Sequence, residues 1–134
     1  MDLNRFTEKT REGLQNAQVL AIRKGHQQVD ALHLLVALCR QERGLAPRLL
    51  DHMGVASTVL AAAVEQVIDR MPSVRGPGFQ PGQITLTQEL SSTLVVASDM
   101  AAKMKDDYVS VEHVLLALLA TGEGTELGRV LETF

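Results

Sequence analysis

The sequence has no tryptophan and few other aromatic residues, since aromatic side chains make up 3% of its 134 residues. A core with so few aromatic rings has to be filled mainly by leucine, valine, alanine and methionine, which favours helices over β-sandwiches. A single cysteine excludes an internal disulfide. Hydrophobic residues still make up 46% of the chain, which is enough for one globular domain with a real core.

The chain also lacks a basic run. Its net charge is −3, and the 13 basic and 16 acidic residues are scattered along the sequence. Nucleic-acid binding therefore has no electrostatic basis. No apolar run is as long as a membrane span, and the first residues lack the apolar stretch of a signal peptide. We expect a cytoplasmic protein that binds neither nucleic acid nor membrane.

Motifs that carry catalysis are missing as well. Neither the phosphate-binding loop G-x-x-x-x-G-K-[ST] nor the dinucleotide motif G-x-G-x-x-G occurs. Cys39 is the one thiol, and we predict a buried structural residue there. The second half of the chain has a small cluster of carboxylates at Asp99, Asp106, Asp107 and Glu112. Such a cluster is typical of a solvated face rather than of a general acid–base pair. The sequence predicts no enzyme active site, no metal site and no cofactor site.

What the chain does contain is an internal repeat. Shifted by 80 positions, the sequence matches itself without a gap from Thr7/Thr87 to Leu38/Leu118. The identical pairs are Thr7/Thr87, Leu14/Leu94, Ala17/Ala97, Ala21/Ala101, Val29/Val109, His33/His113, Leu35/Leu115, Ala37/Ala117 and Leu38/Leu118. Several other pairs exchange one apolar residue for another, such as Leu20/Met100, Leu34/Val114 and Val36/Leu116. A constant offset indicates a duplicated structural unit.

The first unit, residues 3–71, has the pattern of four helices. Thr7 is placed to cap the first helix, and Asp30 is placed to cap the second. The second helix is apolar on nearly every side, which predicts that it is buried. A third helix follows Gly44, and Ser57 is the expected cap of the fourth.

A linker, residues 72–83, holds three of the four prolines, and we expect Phe79 within it to dock on a helix. The second unit, residues 84–134, repeats the caps at Thr87 and Ser110. The sequence stops where its fourth helix would begin. We therefore predict one all-α domain of seven helices, with the last helix of the second repeat missing or truncated.

Two of the four histidines are matched by the repeat. His33 and His113 each follow their cap by three residues, where a side chain can bond back to the cap residue. We predict that both fix the start of a helix, because neither has further ligands at metal-binding spacing. His26 and His52 are expected at the surface or at helix ends.

Three stretches carry a resemblance to a known family. They are Arg5-Phe-Thr-Glu-Lys9, Gly25-His26 with Asp30-Ala-Leu-His33-Leu-Leu, and Lys105-Asp-Asp-Tyr-Val-Ser-Val-Glu-His113-Val-Leu-Leu-Ala-Leu. They resemble the N-terminal domains of the Clp family of AAA+ unfoldases, and the resemblance covers essentially the whole chain, duplication included. The start of the linker and the third stretch are most similar to the disaggregase branch.

The resemblance implies two four-helix repeats related by a pseudo-twofold axis and tethered to two ATPase modules outside this sequence. It implies that the domain engages unfolded or aggregated proteins and helps feed them to the pore of a homohexamer. ATP and magnesium would belong to the ATPase modules. The substrate-binding positions of the family fall on polar Thr7, Asp106 and Glu112 and on an apolar groove near Leu90, Leu94, Met100 and His113, where some relatives have leucine in place of His113.

Other roles are compatible with the same residues. The domain could dock a folded adaptor of a Clp-type unfoldase through one saturable interface rather than capture unfolded chains. The sequence does not exclude a purely structural role, in which the domain shields the ATPase ring.

Overall fold

A computed structural model of the chain describes residues 3–73 and 84–134. These residues form seven α-helices and two short strands, which confirms the all-α prediction. After a 3-10 turn at Leu3–Arg5, the elements are α1 (Glu8–Arg23), β1 (Gln28–Val29), α2 (Ala31–Cys39), α3 (Leu45–His52), α4 (Ser57–Asp69), β2 (Thr85–Leu86), α5 (Gln88–Lys103), α6 (Val111–Thr121) and α7 (Glu126–Leu131). The expected docking of Phe79, with most of the linker, lies outside the described residues.

Four helices begin where the sequence predicts. Thr7 and Thr87 are the N-caps of α1 and α5, and each side chain accepts a backbone N–H from the first turn of its helix. Asp30 and Ser110 are the N-caps of α2 and α6. Side-chain caps satisfy backbone donors that have no partner inside a helix, so these local signals could be read without the fold.

The prediction that Ser57 caps α4 is wrong. The N-cap is Ala56, which makes no side-chain capping bond, and Ser57 is the buried first residue of the helix. α4 packs against α2, and its buried stripe includes Leu60, Val64 and Ile68. Packing of this stripe, rather than a hydroxyl, stabilises the start of α4.

The core centres on α2, all nine of whose residues are buried, as predicted. α4 covers one side of α2, so that Val36 is 1% exposed. The repeat-equivalent residue in α6, Leu116, is 39% exposed, because no fourth helix of the second repeat covers α6 within the described ranges. The two repeats therefore have the same local structure but different surroundings.

The repeats interlock through their short extended segments. β1 pairs in parallel with β2, with Val29 opposite Leu86, and an isolated parallel bridge joins Phe6 to Val109. Shifting one pairing by 80 positions gives the other. The segment before the first helix of each repeat thus pairs with the segment before the second helix of the other repeat. This exchange is the pseudo-twofold relation, and it places both repeats around one hydrophobic core.

Cys39 is buried at the end of α2, which confirms its predicted structural role. Burial raises the pKa of its thiol to about 11 from an ordinary value of 9.0. Because the thiolate is the reactive form, we expect iodoacetamide at pH 8 to modify the folded chain about 100-fold more slowly than the urea-unfolded chain. Equal rates in the two states, followed by mass spectrometry, would contradict this placement.

Candidate functional site

An open groove with a volume of about 650 Å³ lies between α1 and α5, over the β1–β2 pair. Val29 and Leu94, each 2% exposed, form its deepest part. Leu86 and Val95 also line it and are 44% and 50% exposed. A groove with apolar residues both at its base and on its accessible walls is a site where a ligand can bury apolar side chains.

The cross-repeat hydrogen bonds explain why α1 and α5 become the two walls. The N–H of Thr87, which caps α5, donates to the carbonyl of Val29 at 2.9 Å. The N–H of Thr7, which caps α1, donates to the carbonyl of Val109 at 3.0 Å. Each helix is therefore fixed at its N-cap to the other repeat. The walls of the groove are equivalent helices held on opposite sides of the strand pair.

The apolar positions that the family resemblance assigned are spread between the groove and the core. Leu94 lines the groove, whereas Leu90 is fully buried and His113 is 3% exposed. Met100 is half-buried and packs against the core. The role of these four residues in binding stays a prediction, and the side chains of Leu90 and His113 are inaccessible in this conformation.

The polar positions of the resemblance lie near the other cross-repeat pairing. Thr7 follows Phe6 in the bridge to Val109, while Asp106 and Glu112 stand three residues before and after Val109. Within the described residues no hydrogen bond or ion pair joins the side chains of these three residues to one another. Their binding role stays a prediction, on a surface distinct from the α1–α5 groove.

Sequence reasoning missed the residues that make the groove accessible, above all Ile84, Leu86 and Val95. Leu86 is the repeat equivalent of Phe6, which is 2% exposed. Both are apolar residues directly before a threonine cap, so no local signal distinguishes the buried member from the exposed one. Gln15 and Arg11 on α1 also line the groove and were missed. Exposed polar residues are ordinary on a helix, so they carry no signal of a site.

A second constellation, the paired histidines, lies at the starts of α2 and α6. The N–H of Asp30 donates to Nδ1 of His33 at 2.9 Å, and the N–H of Ser110 donates to Nδ1 of His113 at 2.9 Å. Both rings thus bond back to their cap residue, which confirms the prediction for the third helical position.

The other nitrogen of each ring contacts the residue seven positions earlier. Nε2 of His113 lies 2.8 Å from Oδ2 of Asp106, and Nε2 of His33 lies 2.9 Å from Nδ1 of His26. Of the two positions expected for His26, the surface is wrong, because His26 is 4% exposed. The helix end is right, because its N–H donates to the carbonyl of Ala21 at the end of α1. The offset of 80 makes His26 the equivalent of Asp106, and this signal could have revealed its place. His52, by contrast, is exposed at the end of α3, as expected.

The cap bonds decide where the protons lie. Because Nδ1 of His33 accepts an N–H, the neutral ring carries its proton on Nε2 and donates to His26. Burial, followed by the neighbouring His26, lowers the pKa of His33 to about 4 against smaller opposing effects of Asp30. In the second repeat the same donor faces the carboxylate of Asp106. The equivalent histidines of the two repeats thus face different groups: His33 faces the imidazole of His26, and His113 faces the carboxylate of Asp106.

Comparison with known proteins identifies the family of this chain. The sequence profile of the Clp repeat (R) N-terminal domain matches residues 5–134. The chain belongs to this family. The family predicted from the three sequence stretches is therefore confirmed.

Two curated relatives of this Clp N-domain are ClpB chaperones. Chaperone protein ClpB of Nitratidesulfovibrio vulgaris is 48% identical over 134 residues, which are 100% of this chain and 16% of that protein. ClpB of Bacillus anthracis is 42% identical over 134 residues, again 100% of this chain and 15% of the relative. The chain thus spans about a sixth of the length of these relatives and corresponds to the N-terminal domain of a ClpB-like chaperone. The predicted branch of the family is confirmed.

Solved structures show the same fold at lower identity. The N-terminal domain of Hsp104 from Candida albicans has a TM-score of 0.79 and 23% identity, with 96% of this chain and 80% of that chain covered. The N-terminal domain of ClpD from Arabidopsis thaliana has a TM-score of 0.73 and 22% identity, with 99% and 86% covered. Both likenesses concern the fold of this Clp N-domain.

A second cavity of this Clp N-domain, of about 540 Å³, lies between the starts of α2, α5 and α7. Several of its polar side chains are already paired. The hydroxyls of Thr93 and Thr121 lie 2.9 Å apart, and Asp30 accepts a bond from Thr87 at 2.7 Å. The Thr87–Asp30 bond connects the repeats, whereas the Thr93–Thr121 contact lies within the second repeat. Because these groups are already paired, we interpret this cavity as a feature of packing.

The described parts of this Clp N-domain contain no helix with both the length and the apolar composition needed to cross a membrane. Nor do those parts gather three histidine, cysteine or carboxylate side chains where they could hold a metal ion. The functional proposal is therefore based on the groove.

Proposed function

We propose that this Clp N-domain captures unfolded or aggregated polypeptide in the groove between α1 and α5 and helps deliver it to the ATPase pore of a ClpB-type disaggregase. The observation that carries the proposal is the exposure of Leu86 and Val95 above the buried base of the groove. Unfolded chains expose leucine, valine and aromatic side chains that folded proteins bury, and an open apolar groove is complementary to them.

Capture by an isolated domain should be weak. A groove without shape-specific pockets has a dissociation constant in the micromolar range or above, which corresponds to about −8 kcal/mol or less in magnitude. In the proposed homohexamer, six tethered copies raise the avidity without any new contact. ATP and magnesium are needed by the ATPase modules in this proposal, and the domain contributes binding rather than catalysis.

The polar surface around Thr7, Asp106 and Glu112 supports a second candidate function. Tyr108 is 59% exposed between two of these residues, and Met104 is 52% exposed at the end of α5. Tyrosine and methionine are enriched in interfaces between folded proteins, and the rims of such interfaces are polar. The alternative function is the docking of a folded adaptor on this surface.

Replacing Val95 with aspartate should weaken the binding of a permanently unfolded protein, such as reduced carboxymethylated α-lactalbumin, by tenfold or more. A charge in the apolar wall has to be desolvated when the groove is occupied, which costs on the order of 1–3 kcal/mol. Fluorescence anisotropy with the labelled unfolded protein measures the affinity. Val95 is suitable because it is 50% exposed, whereas an aspartate at the buried Leu94 would perturb folding.

The matched control is Val59→Asp, because Val59 is 55% exposed on α4 and does not line the groove. It should leave the affinity unchanged. Equal affinities for the parent and Val95→Asp, with circular dichroism showing both folded, would contradict capture in this groove. Amide NMR shifts that the unfolded protein induces around Tyr108 instead of the groove would move capture to the surface of Thr7, Asp106 and Glu112.

A further inference from the structure

Arg11 is the only charged residue among the described residues that line the α1–α5 groove. It is exposed on α1, and its side chain makes no hydrogen bond or ion pair with any residue in the described ranges. The nearby Glu12 pairs instead with Lys9, at 3.6 Å. The groove therefore presents an uncompensated guanidinium beside an apolar surface.

The charge stands on one wall of the groove only. The repeat equivalent of Arg11 is Ser91, which lines the groove from α5 and is neutral. The other polar lining residues, such as Gln15 and Gln18, are neutral too. Among the described residues of the lining no carboxylate opposes the guanidinium, so an occupant with a negative charge gains an attraction and an occupant with a positive charge meets a repulsion.

We propose that Arg11 makes the groove select apolar segments that carry a carboxylate next to their leucine or valine side chains. This inference rests on the proposed capture of unfolded chains and names the class of segment preferred. A guanidinium offers a planar set of donors that matches both oxygens of a carboxylate, and an adjoining apolar surface removes competing water. The net charge of −3 gives no long-range attraction for acidic chains, so the selection is local.

The test uses capped peptides with one Leu/Val-rich sequence, in which a single aspartate, asparagine or lysine is placed at each position in turn. The best aspartate peptide should bind the parent about three- to fivefold more tightly than its asparagine counterpart, as expected for a half-exposed ion pair. The lysine counterpart should bind more weakly than asparagine. Raising the salt to 0.5 M should reduce both differences.

Variants at this position separate charge from structure. Arg11→Gln should make the three peptides bind alike, and Arg11→Glu should invert the order so that lysine is preferred. Arg48→Gln is the matched control, because Arg48 is exposed on α3 and lies outside the groove. It should leave the order unchanged.

The outcomes distinguish the two proposals. Equal binding of all peptides to the parent, abolished by Val95→Asp, would overturn the selection by Arg11 and leave capture in the groove intact. An unchanged order of peptides in Arg11→Glu would also overturn the selection. No binding of any peptide to the parent, or binding that Val95→Asp leaves unaltered, would overturn capture in the groove and the selection with it.

Discussion

Replacing Phe6 with alanine should lower the free energy of unfolding by about 3–5 kcal/mol. Phe6 is 2% exposed and belongs to the shared core, beside the bridge to Val109 that joins the repeats. Removing the ring leaves a cavity that the surrounding helices fill only in part. Since domains of this size are stable by about 5–15 kcal/mol, the loss is a large fraction of the total. Urea unfolding followed by circular dichroism measures it.

The matched control is Leu86→Ala at the repeat-equivalent position. Leu86 is 44% exposed, so its truncation should cost only about 1 kcal/mol. It should instead weaken the capture of unfolded protein, because Leu86 lines the groove. If Phe6→Ala does not fold, Phe6→Leu supplies a smaller and measurable loss. Equal losses at the two positions would contradict the difference in burial between the repeats.

Acidification from pH 7 to pH 5 should destabilise the domain by about 2 kcal/mol through His33. Burial, followed by the neighbouring His26, lowers the pKa of His33 to about 4, whereas the unfolded chain has the ordinary value of 6.5. Between these two values the unfolded state binds more protons than the folded state. The stability contributed by the neutral ring is therefore complete above pH 6.5 and is lost as the pH falls toward 4.

The hydrogen-bond geometry around His33 also predicts that acid lowers the stability of the domain. A proton added at Nδ1 of His33 would oppose the N–H of Asp30, and a proton added at Nδ1 of His26 would oppose Nε2–H of His33. The carboxylate of Asp30 is the acidic group acting on His33, and its effect is smaller than those of burial and His26. The pKa of Glu65 is lowered by hydrogen bonds from Lys24 and Arg40, so its stabilising effect is lost below its ordinary value of 4.5. The window between pH 6.5 and pH 5 therefore excludes this carboxylate, and the variants His26→Asp and His52→Gln assign the effect among the histidines.

Urea unfolding at half-unit steps of pH gives the slope of the free energy of unfolding against pH. His26→Asp should flatten it, because the variant copies the Asp106–His113 arrangement of the second repeat, in which a carboxylate accepts from the ring. The slope tests the idea even if the substitution lowers the stability at every pH. His52→Gln, at an exposed position on α3, should retain the parental slope. A parent equally stable at pH 7 and pH 5 would refute the proposed role of His33.

Features that depend on neighbours in the chain could be predicted from the sequence. Thr7 and Asp30 were recognised as caps because a cap bonds within its own first turn. His33 was placed at the start of α2 for the same reason. Ser57 is the exception, since packing of α4 rather than a local bond sets the start of that helix. The site was predicted less well, because of the groove residues only Leu94 was named.

The sequence by itself determined the helices, their caps and the duplication, because local periodicity, capping bonds and a constant offset leave direct traces in the residue order. Only the tertiary structure decided that the repeats exchange their strand segments, that His26 meets His33, and that Leu86 is exposed where Phe6 is buried. An apolar pattern shows which residues can be buried, whereas the elements packed over each position determine which of them are. Two equivalent residues with different cover therefore become core in one repeat and groove in the other.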